Sequence, residues 1–333
     1  MYDPTLLLII AVVILALIFD FINGFHDTAN SIATSISTKA LPPRVAIILA
    51  SFMNLMGALA FTGVAQTIGG KIADPLHLEY GMFIVTAALI AAITWNLITW
   101  YCGIPSSSSH ALIGSLTGAV IASAGIGEVN FHGFVSILKA LIISPLLAFA
   151  AGYTIMTLVK LIFRNGHPAK LNRRFRTLQI FTAAGQAFSH GTNDAQKSMG
   201  IITFALIAGG FQTNLVVPFW VKLSCAVAMA LGTSMGGWKI IKTVGTRIIK
   251  LEPANGFSAD FGSALVIIMA TLLKLPVSTT HVISSSIMGV GTSKRVSSVK
   301  WETAQRMVTA WLITLPVTSI FAAVIFLMIS IFI

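Results

Sequence analysis

Two stretches of this sequence set ionisable and amide side chains inside otherwise apolar runs. The first reads Asp20-Phe-Ile-Asn23-Gly24-Phe-His26-Asp27-Thr28-Ala-Asn30-Ser31, in which Asp20, Asn23, Asp27 and Asn30 recur at the three-to-four spacing of one helical face. The second, Ser189-His190-Gly191-Thr192-Asn193-Asp194-Ala-Gln196-Lys197-Ser198, aligns His190, Asp194 and Lys197 in the same way. A bare charge in apolar surroundings costs roughly 2.5–3.5 kcal/mol even on the lenient insertion scale, so such a carboxylate faces a cavity or a partner. Asp27 and Asp194 are therefore candidates to bind or carry a cation, with Asn30 and Asn193 beside them. The competing structural reading is an ion pair that locks helices, with Lys197 holding Asp194 from one turn away. Asn23, His190, Gly24 and Gly191 are supporting residues, the glycines because they let helices pack closely. Asp20 is open between the two roles, since its counterpart in the second stretch is Ala187.

A second pair of motifs is built from hydroxyls. Pro105-Ser106-Ser107-Ser108-Ser109-His110 and Pro276-Val277-Ser278-Thr279-Thr280-His281 each follow an apolar stretch. Proline lacks a backbone donor and disfavours helix just before it, so the chain is expected to break there and start a new helix. Residues 106–109 and 277–280 would form the first turn, where unpaired N–H groups and the positive end of the helix dipole attract oxyanions. Ser106, Ser107, Ser108, Ser109, Ser278, Thr279 and Thr280 would add neutral donors for such an anion. Ordinary N-capping is the competing reading. His110 and His281 are open between pocket and support.

The elements that must hold these motifs are membrane helices. Of the 333 residues 56% are hydrophobic and only 9% charged, a balance foreign to a soluble domain. Apolar runs near the length needed to cross a bilayer, about 20 residues, recur in about ten places along the chain. Sliding the chain by 167 residues lays Phe21, Gly24, Asp27 and Ser31 on Phe188, Gly191, Asp194 and Ser198; a shift of 171 lays the two hydroxyl runs on one another. The net charge of +11 comes from clusters at 160–176, 239–250, 294–306 and at Lys39 and Arg44, which hold 16 of the 21 basic residues. These are loops facing anionic lipid, not a nucleic-acid surface. If all of them are cytoplasmic, each half has an odd number of crossings, both termini are external, and the second half runs inverted. The expected fold is an all-α integral membrane protein, an inverted-topology repeat of two five-crossing modules with broken or re-entrant helices and about 10 to 12 membrane segments. The modules are 1–163 and 178–333, with a basic cytoplasmic linker at 164–177. Cys102 and Cys225 have no ligand-spaced neighbours and are expected to pack. The start, Met1-Tyr2-Asp3, lacks the positive region of a cleaved signal, so the first segment is expected to remain.

Together the two Gly-x-x-Asp signatures, at Gly24 to Asp27 and Gly191 to Asp194, and the two Pro-x-Ser-(Ser/Thr)-(Ser/Thr)-His runs resemble the inorganic phosphate transporter (PiT) family over nearly the whole chain. The resemblance implies phosphate symport across the cell membrane, with the aspartates coupling the cation and the hydroxyl runs binding phosphate. A related branch resembles sulfate permeases. Sodium-coupled members resemble Gly-x-Asn-Asp-x-x-Asn in both halves, whereas this chain has His26 and Lys197 at two of those Asn positions. Each change removes a neutral oxygen ligand suited to a hard cation, and Lys197 puts a fixed charge beside Asp194. His26 and Lys197 thus point to H+ rather than Na+ as the coupling ion, as in the bacterial low-affinity branch. The expected partners are inorganic phosphate, alone or as a neutral complex with a divalent metal, and membrane lipid; a second copy of the chain is admitted, and no cofactor or resident metal is expected. Two other classes fit less well: a membrane-embedded hydrolase that uses His26, Asp27, His190 and Asp194 as metal ligands, and a passive anion channel.

Overall fold

The chain folds into helices whose ends are set by proline, glycine and hydroxyl residues, and the computed structural model describes residues 4–74, 78 and 80–332. The start at Met1-Tyr2-Asp3 and part of the expected outer loop 69–80 lie outside the described residues, as does the side chain of Thr28. No strand occurs among the described residues. The first half runs α1 (Pro4–Ser37), α2 (Pro43–Ala60), α3 (Gly63–Lys71), α4 (Gly81–Cys102), α5 (Ser108–Ala124) and α6 (Phe131–Ile162). The second repeats that order as α7 (Pro168–Ala208), α8 (Phe219–Met235), α9 (Trp238–Thr246), α10 (Pro253–Leu272), α11 (Thr279–Lys294) and α12 (Trp301–Ser330). Proline opens α2, α7 and α10, where its missing donor costs nothing. It also sits inside α6 at Pro145 and inside α12 at Pro316.

Six helices, α1, α2, α4, α6, α10 and α12, are long and apolar enough to cross a membrane; α8 with α9, bent by 73°, makes a seventh if the pair is one span. The protein is therefore multi-pass. Helices α5 and α11, of 17 and 16 residues, fall just short of a full crossing at about 1.5 Å per residue. In α7 the reason is burial: residues 189–205 are buried all round, so the helix faces protein instead of lipid and has no need of an apolar surface. The expected linker at 164–177 is mostly the start of α7, with Lys170, Arg173, Arg174 and Arg176 on exposed turns. Cys225 is buried as expected; Cys102 is exposed at the end of α4 and so does not pack.

Helices α1, α7, α5 and α11 are buried over most of their middle turns, and α6, α8, α10 and α12 turn Leu146, Leu231, Met269, Leu312 and Ile320 outward. The halves interlock. Helix α5 packs on α12 as α11 packs on α6, α1 on α8 as α7 on α2, and α1 on α4 as α7 on α10. The crossings of α1 with α8 and of α7 with α2 depend on the two motif glycines. A Cβ on Gly24 would press on the Met229 carbonyl, and one on Gly191 on the Asn54 carbonyl.

Candidate functional site

Each hydroxyl run is delivered to the molecular centre by the same local device. The carbonyl ladder of α4 is closed by Gly103 at φ 66°, with the Ile104 amide returning to the Thr99 carbonyl at 2.9 Å. That of α10 is closed by Lys274 at φ 57°, with the Leu275 amide returning to the Ala270 carbonyl at 2.8 Å. Both are Schellman-type ends that turn the chain out of the helix. The chain stays non-helical through Pro105 and Pro276, and the new helices begin at Ser108 and Thr279, two residues later than proline alone suggests. The delay has a physical cause: Ser107 and Ser278 serve as N-caps, accepting from the His110 and His281 amides at 3.1 and 3.3 Å.

The helix starts meet the two aspartates between α1 and α7. Asp27 is 1% exposed and Asp194 fully buried. Ser108 Oγ donates to Asp27 Oδ2 at 2.7 Å and Thr280 Oγ1 to Oδ1 at 3.0 Å, so Asp27 is held by hydroxyls from both halves. Thr279 Oγ1 donates to Asp194 Oδ2 at 3.1 Å, and Asn23 Nδ2 reaches the same oxygen at 3.4 Å. Asn30 Nδ2 donates to Thr280 Oγ1 at 2.8 Å. Asn193 accepts from the Val277 amide at 3.1 Å and donates to Thr271 Oγ1 at 3.1 Å, bracing the bend before α11 instead of touching a carboxylate. Asp27, His190 and Asp194 each place one ligand atom within 4.8 Å of the others, a spacing that could hold a cation.

The charges at the two aspartates are balanced by different bases. Lys197 Nζ lies 2.7 Å from Asp194 Oδ1, with both side chains fully buried; His190 Nε2 stands 3.4 Å from Oδ2. His26 Nδ1 lies 2.8 Å from Asp27 Oδ1, and its Nε2 lies 3.1 Å from Thr99 Oγ1. Thr99 Oγ1 also lies 3.0 and 3.2 Å from the Trp95 and Asn96 carbonyls. His26 and Asp27 form a buried acid–base pair, with the ring held between the carboxylate and the Thr99 hydroxyl.

Not every residue expected at the site comes to it. Ser106 bonds to Trp95 and Thr314 at 3.2 and 3.1 Å, and Ser109 to the Val277 carbonyl at 2.8 Å. The His110 and His281 ring centroids lie 4.6 Å apart with the planes tilted by 38°, and His281 stacks on Trp311 at 3.9 Å. They line a mainly apolar cavity of about 650 Å³ with Pro145 and Phe149. Asp20 is fully buried beside Ser198 and Cys225, and none of the hydroxyl-run hydrogen bonds reaches it. Two features escaped the motif reading. Asp260 on α10 is a further fully buried carboxylate, and a cleft of about 530 Å³ against Pro105 carries Arg247 and Arg306. A lone acid in the apolar segment 257–273 was a readable signal for the first; the second depends on tertiary structure.

Known proteins resemble this chain over nearly its full length. The family model described as "Phosphate transporter family" matches residues 23–322. A Bacillus subtilis protein described as "Probable low-affinity inorganic phosphate transporter" is 59% identical over 97% of each chain, and a Rhizobium meliloti protein of the same description is 44% identical over 95% of each. A solved structure described as "The sodium-dependent phosphate transporter" superposes with a TM-score of 0.87 at 25% identity, covering 98% of this chain and 100% of that one. Family and relatives are named as transporters and not as enzymes, which removes the hydrolase reading. The chain that carries these two aspartate centres belongs to the phosphate transporter family.

Proposed function

We propose that this protein imports inorganic phosphate by symport with protons, and that the proton rides on the His26–Asp27 pair. The observation that carries the reading is the buried contact of His26 Nδ1 with Asp27 Oδ1 at 2.8 Å, an acid and a base close enough to share a proton. Lys197 supports it from the other side, since its ammonium occupies the flank of Asp194 that a sodium ion would need. Coupling follows from competition for donors. Ser108, Thr280 and Thr279 give their hydrogens to the aspartates, and a phosphate seated at the starts of α5 and α11 would use the same hydrogens. With its proton aboard, the His26–Asp27 pair is neutral overall and holds those hydroxyls weakly. Once the proton leaves, Asp27 reclaims them and the anion is released. The cap residues Ser278 and Ser107, the latter also in contact with His110 Nδ1 at 2.8 Å, bring further hydroxyls to the anion, with Ser106 and Ser109 at the edge.

The membrane arrangement belongs to the same proposal. Residues 1–163 and 178–333 are inverted repeats in the plasma membrane, joined by a cytoplasmic basic segment at 164–177, with both termini external and 10 to 12 segments counting α5 and α11 as half-spans. The paired order of helices and their interlocking contacts support this, as does the gathering of basic residues into a few clusters in the sequence. A neutral metal–phosphate complex is compatible with so little free charge at the centre. Hydrogen phosphate can give a hydrogen to a carboxylate acceptor and sulfate cannot, which favours phosphate.

Purified protein in liposomes, given radiolabelled phosphate under separately imposed proton and sodium gradients, tests the proposal. Phosphate accumulates with the proton gradient, with acid entering the lumen, and excess sulfate does not compete. Accumulation driven by sodium at fixed pH, with no response to the proton gradient, would overturn proton coupling.

A further inference from the structure

We infer that Asp260 is a second proton-carrying carboxylate of this transporter, an inner station between the His26–Asp27 pair and the basic face of the molecule. The inference rests on the proton-coupled reading above. Asp260 is fully buried on α10. The ion pairs among the described residues engage Asp27, Asp194, Glu252 and Glu302, and none engages Asp260. A buried carboxylate with no cation beside it is stable in apolar surroundings only as the neutral acid or with a cation bound.

The neighbours decide between those two. Thr34 Oγ1 donates to Oδ1 at 2.6 Å and Gln179 Nε2 approaches Oδ2 at 3.4 Å, while the Gln179 carbonyl is taken by Thr38 Oγ1 at 2.7 Å. A hard metal cation needs several oxygens turned toward it; here Gln179 presents its amide hydrogens, and the Thr34 hydroxyl at 2.6 Å can accept the hydrogen of a carboxylic acid as well as donate its own, so the fitting occupant is a proton. Among the described residues no titratable group makes an ion pair or hydrogen bond with Asp260 from the packed helices. Helix α1 presents Thr34, and α7 presents Gln179 and, through Ser263, Gln186; α6 presents Met156 against Ser258 and α11 presents Ser286 against the Ala259 carbonyl.

The position lies on a route. From Asp27, Thr280 and then Asn30 continue the hydrogen-bond chain at 3.0 and 2.8 Å. Asn30 Oδ1 is buried without a partner, and Thr34 follows one turn later, about 6 Å along the axis, a span that one water bridges. Beyond Asp260 the chain runs through Gln179 to Thr38, next to exposed Lys39 and the basic first turns of α7. That is the face which positive-inside bias assigns to the cytoplasm. In the step, the neutral Asp260 acid releases its proton to cytoplasmic water, and the carboxylate so formed takes up the one proton that the His26–Asp27 pair gives up, which returns Asp260 to the neutral acid. Only N–H and O–H bonds change.

The test compares wild type with Asp260→Asn, Asp260→Glu and Thr34→Val in liposomes carrying a luminal pH dye. Two rates are read: proton-driven net uptake, and exchange of internal for external phosphate at equal pH, which needs no net proton release. With Asp260→Asn, net uptake falls roughly a hundredfold, the lower range for loss of a positioned proton-transfer group, while exchange stays near wild type. Asp260→Glu recovers much of the net rate, and Thr34→Val slows net uptake alone. Asp260→Asn with undiminished proton entry and accumulation would overturn the inference. So would loss of exchange in Asp260→Asn with no recovery in Asp260→Glu and no effect of Thr34→Val, which marks a structural residue. Failure of the parent reading shows separately, as a wild type that acidifies no lumen; the inference then falls with it.

Discussion

Asp27 and Asp194 stand at matching places on α1 and α7, and the same kind of helix start reaches each, through Ser108 in one half and Thr279 in the other. What differs is the base. Asp194 is held by a lysine at 2.7 Å with no exposure on either side chain, and lysine gives up its charge reluctantly. Asp27 faces a histidine, the side chain whose charge changes most readily near neutral pH. Asp27 also gathers hydroxyls from both halves, Ser108 and Thr280, whereas Asp194 takes Thr279 and the amide of Asn23. On the proposed reading these nearly equal frames make one fixed centre and one that can switch. The two helix starts supply like geometry, and the base beside each aspartate is what differs.

The largest effect that separates the centres is expected at the fixed one. Asp194→Asn strands the Lys197 ammonium in the interior, and removing one partner of a buried pair costs about 3–5 kcal/mol. Melting of the detergent-solubilised variant should drop steeply, and adding Lys197→Met to it should restore most of the loss. Asp27→Asn should melt near wild type, because His26 can shed its proton, yet phosphate accumulation should fall to background. Equal melting losses in the two single variants would erase the comparison. Accumulation by Asp27→Asn would remove the switch.

A gain of function sharpens the contrast next. Lys197→Asn replaces the fixed ammonium with a neutral amide oxygen beside Asp194, and Asp27, His190 and Asp194 already bring ligand atoms within 4.8 Å of each other. Uptake by this variant should become sodium-stimulated, while wild type stays indifferent to sodium. Sodium titrations of initial uptake rate check it, and a flat response in the variant would mean that Lys197 is not standing in for a cation.

Much of this centre was legible in the sequence because apolar surroundings make every charged residue conspicuous. The α1 stripe of Asp20, Asn23, Asp27 and Asn30 is fully buried as its spacing suggests, and the pairing of Lys197 with Asp194 follows from their three-residue separation. The contact between Thr99 and His26 spans 73 residues, and only packing reveals it. The same holds for Thr280 crossing from the second half to Asp27. Helix α7 was harder to read because full burial lets a membrane protein carry a helix with no apolar face. Asp260 stood in plain view in its segment, but it has no counterpart in a matching motif, and reading by repeats passes over what occurs once.

The smallest expected effect tests how each hydroxyl run divides its work. Ser107 spends its oxygen on the His110 amide at 3.1 Å, whereas Ser108, next in sequence, donates to Asp27 at 2.7 Å. Ser107→Ala removes a cap and should cost about 1 kcal/mol of stability, with a further loss of phosphate affinity only if its hydroxyl turns from His110 Nδ1, 2.8 Å away, to the anion. Ser108→Ala leaves a capped helix but takes a donor from a buried carboxylate, about 1–3 kcal/mol when the partner stays unpaired. Its loss should appear in proton-driven uptake before it appears in melting. Equilibrium phosphate binding, melting and initial uptake rate, measured side by side, separate the two serines. If the alanine variants lose stability and affinity in the same ratio, neighbouring hydroxyls are interchangeable, and the division between a serine that starts the helix and one that serves the switch does not hold.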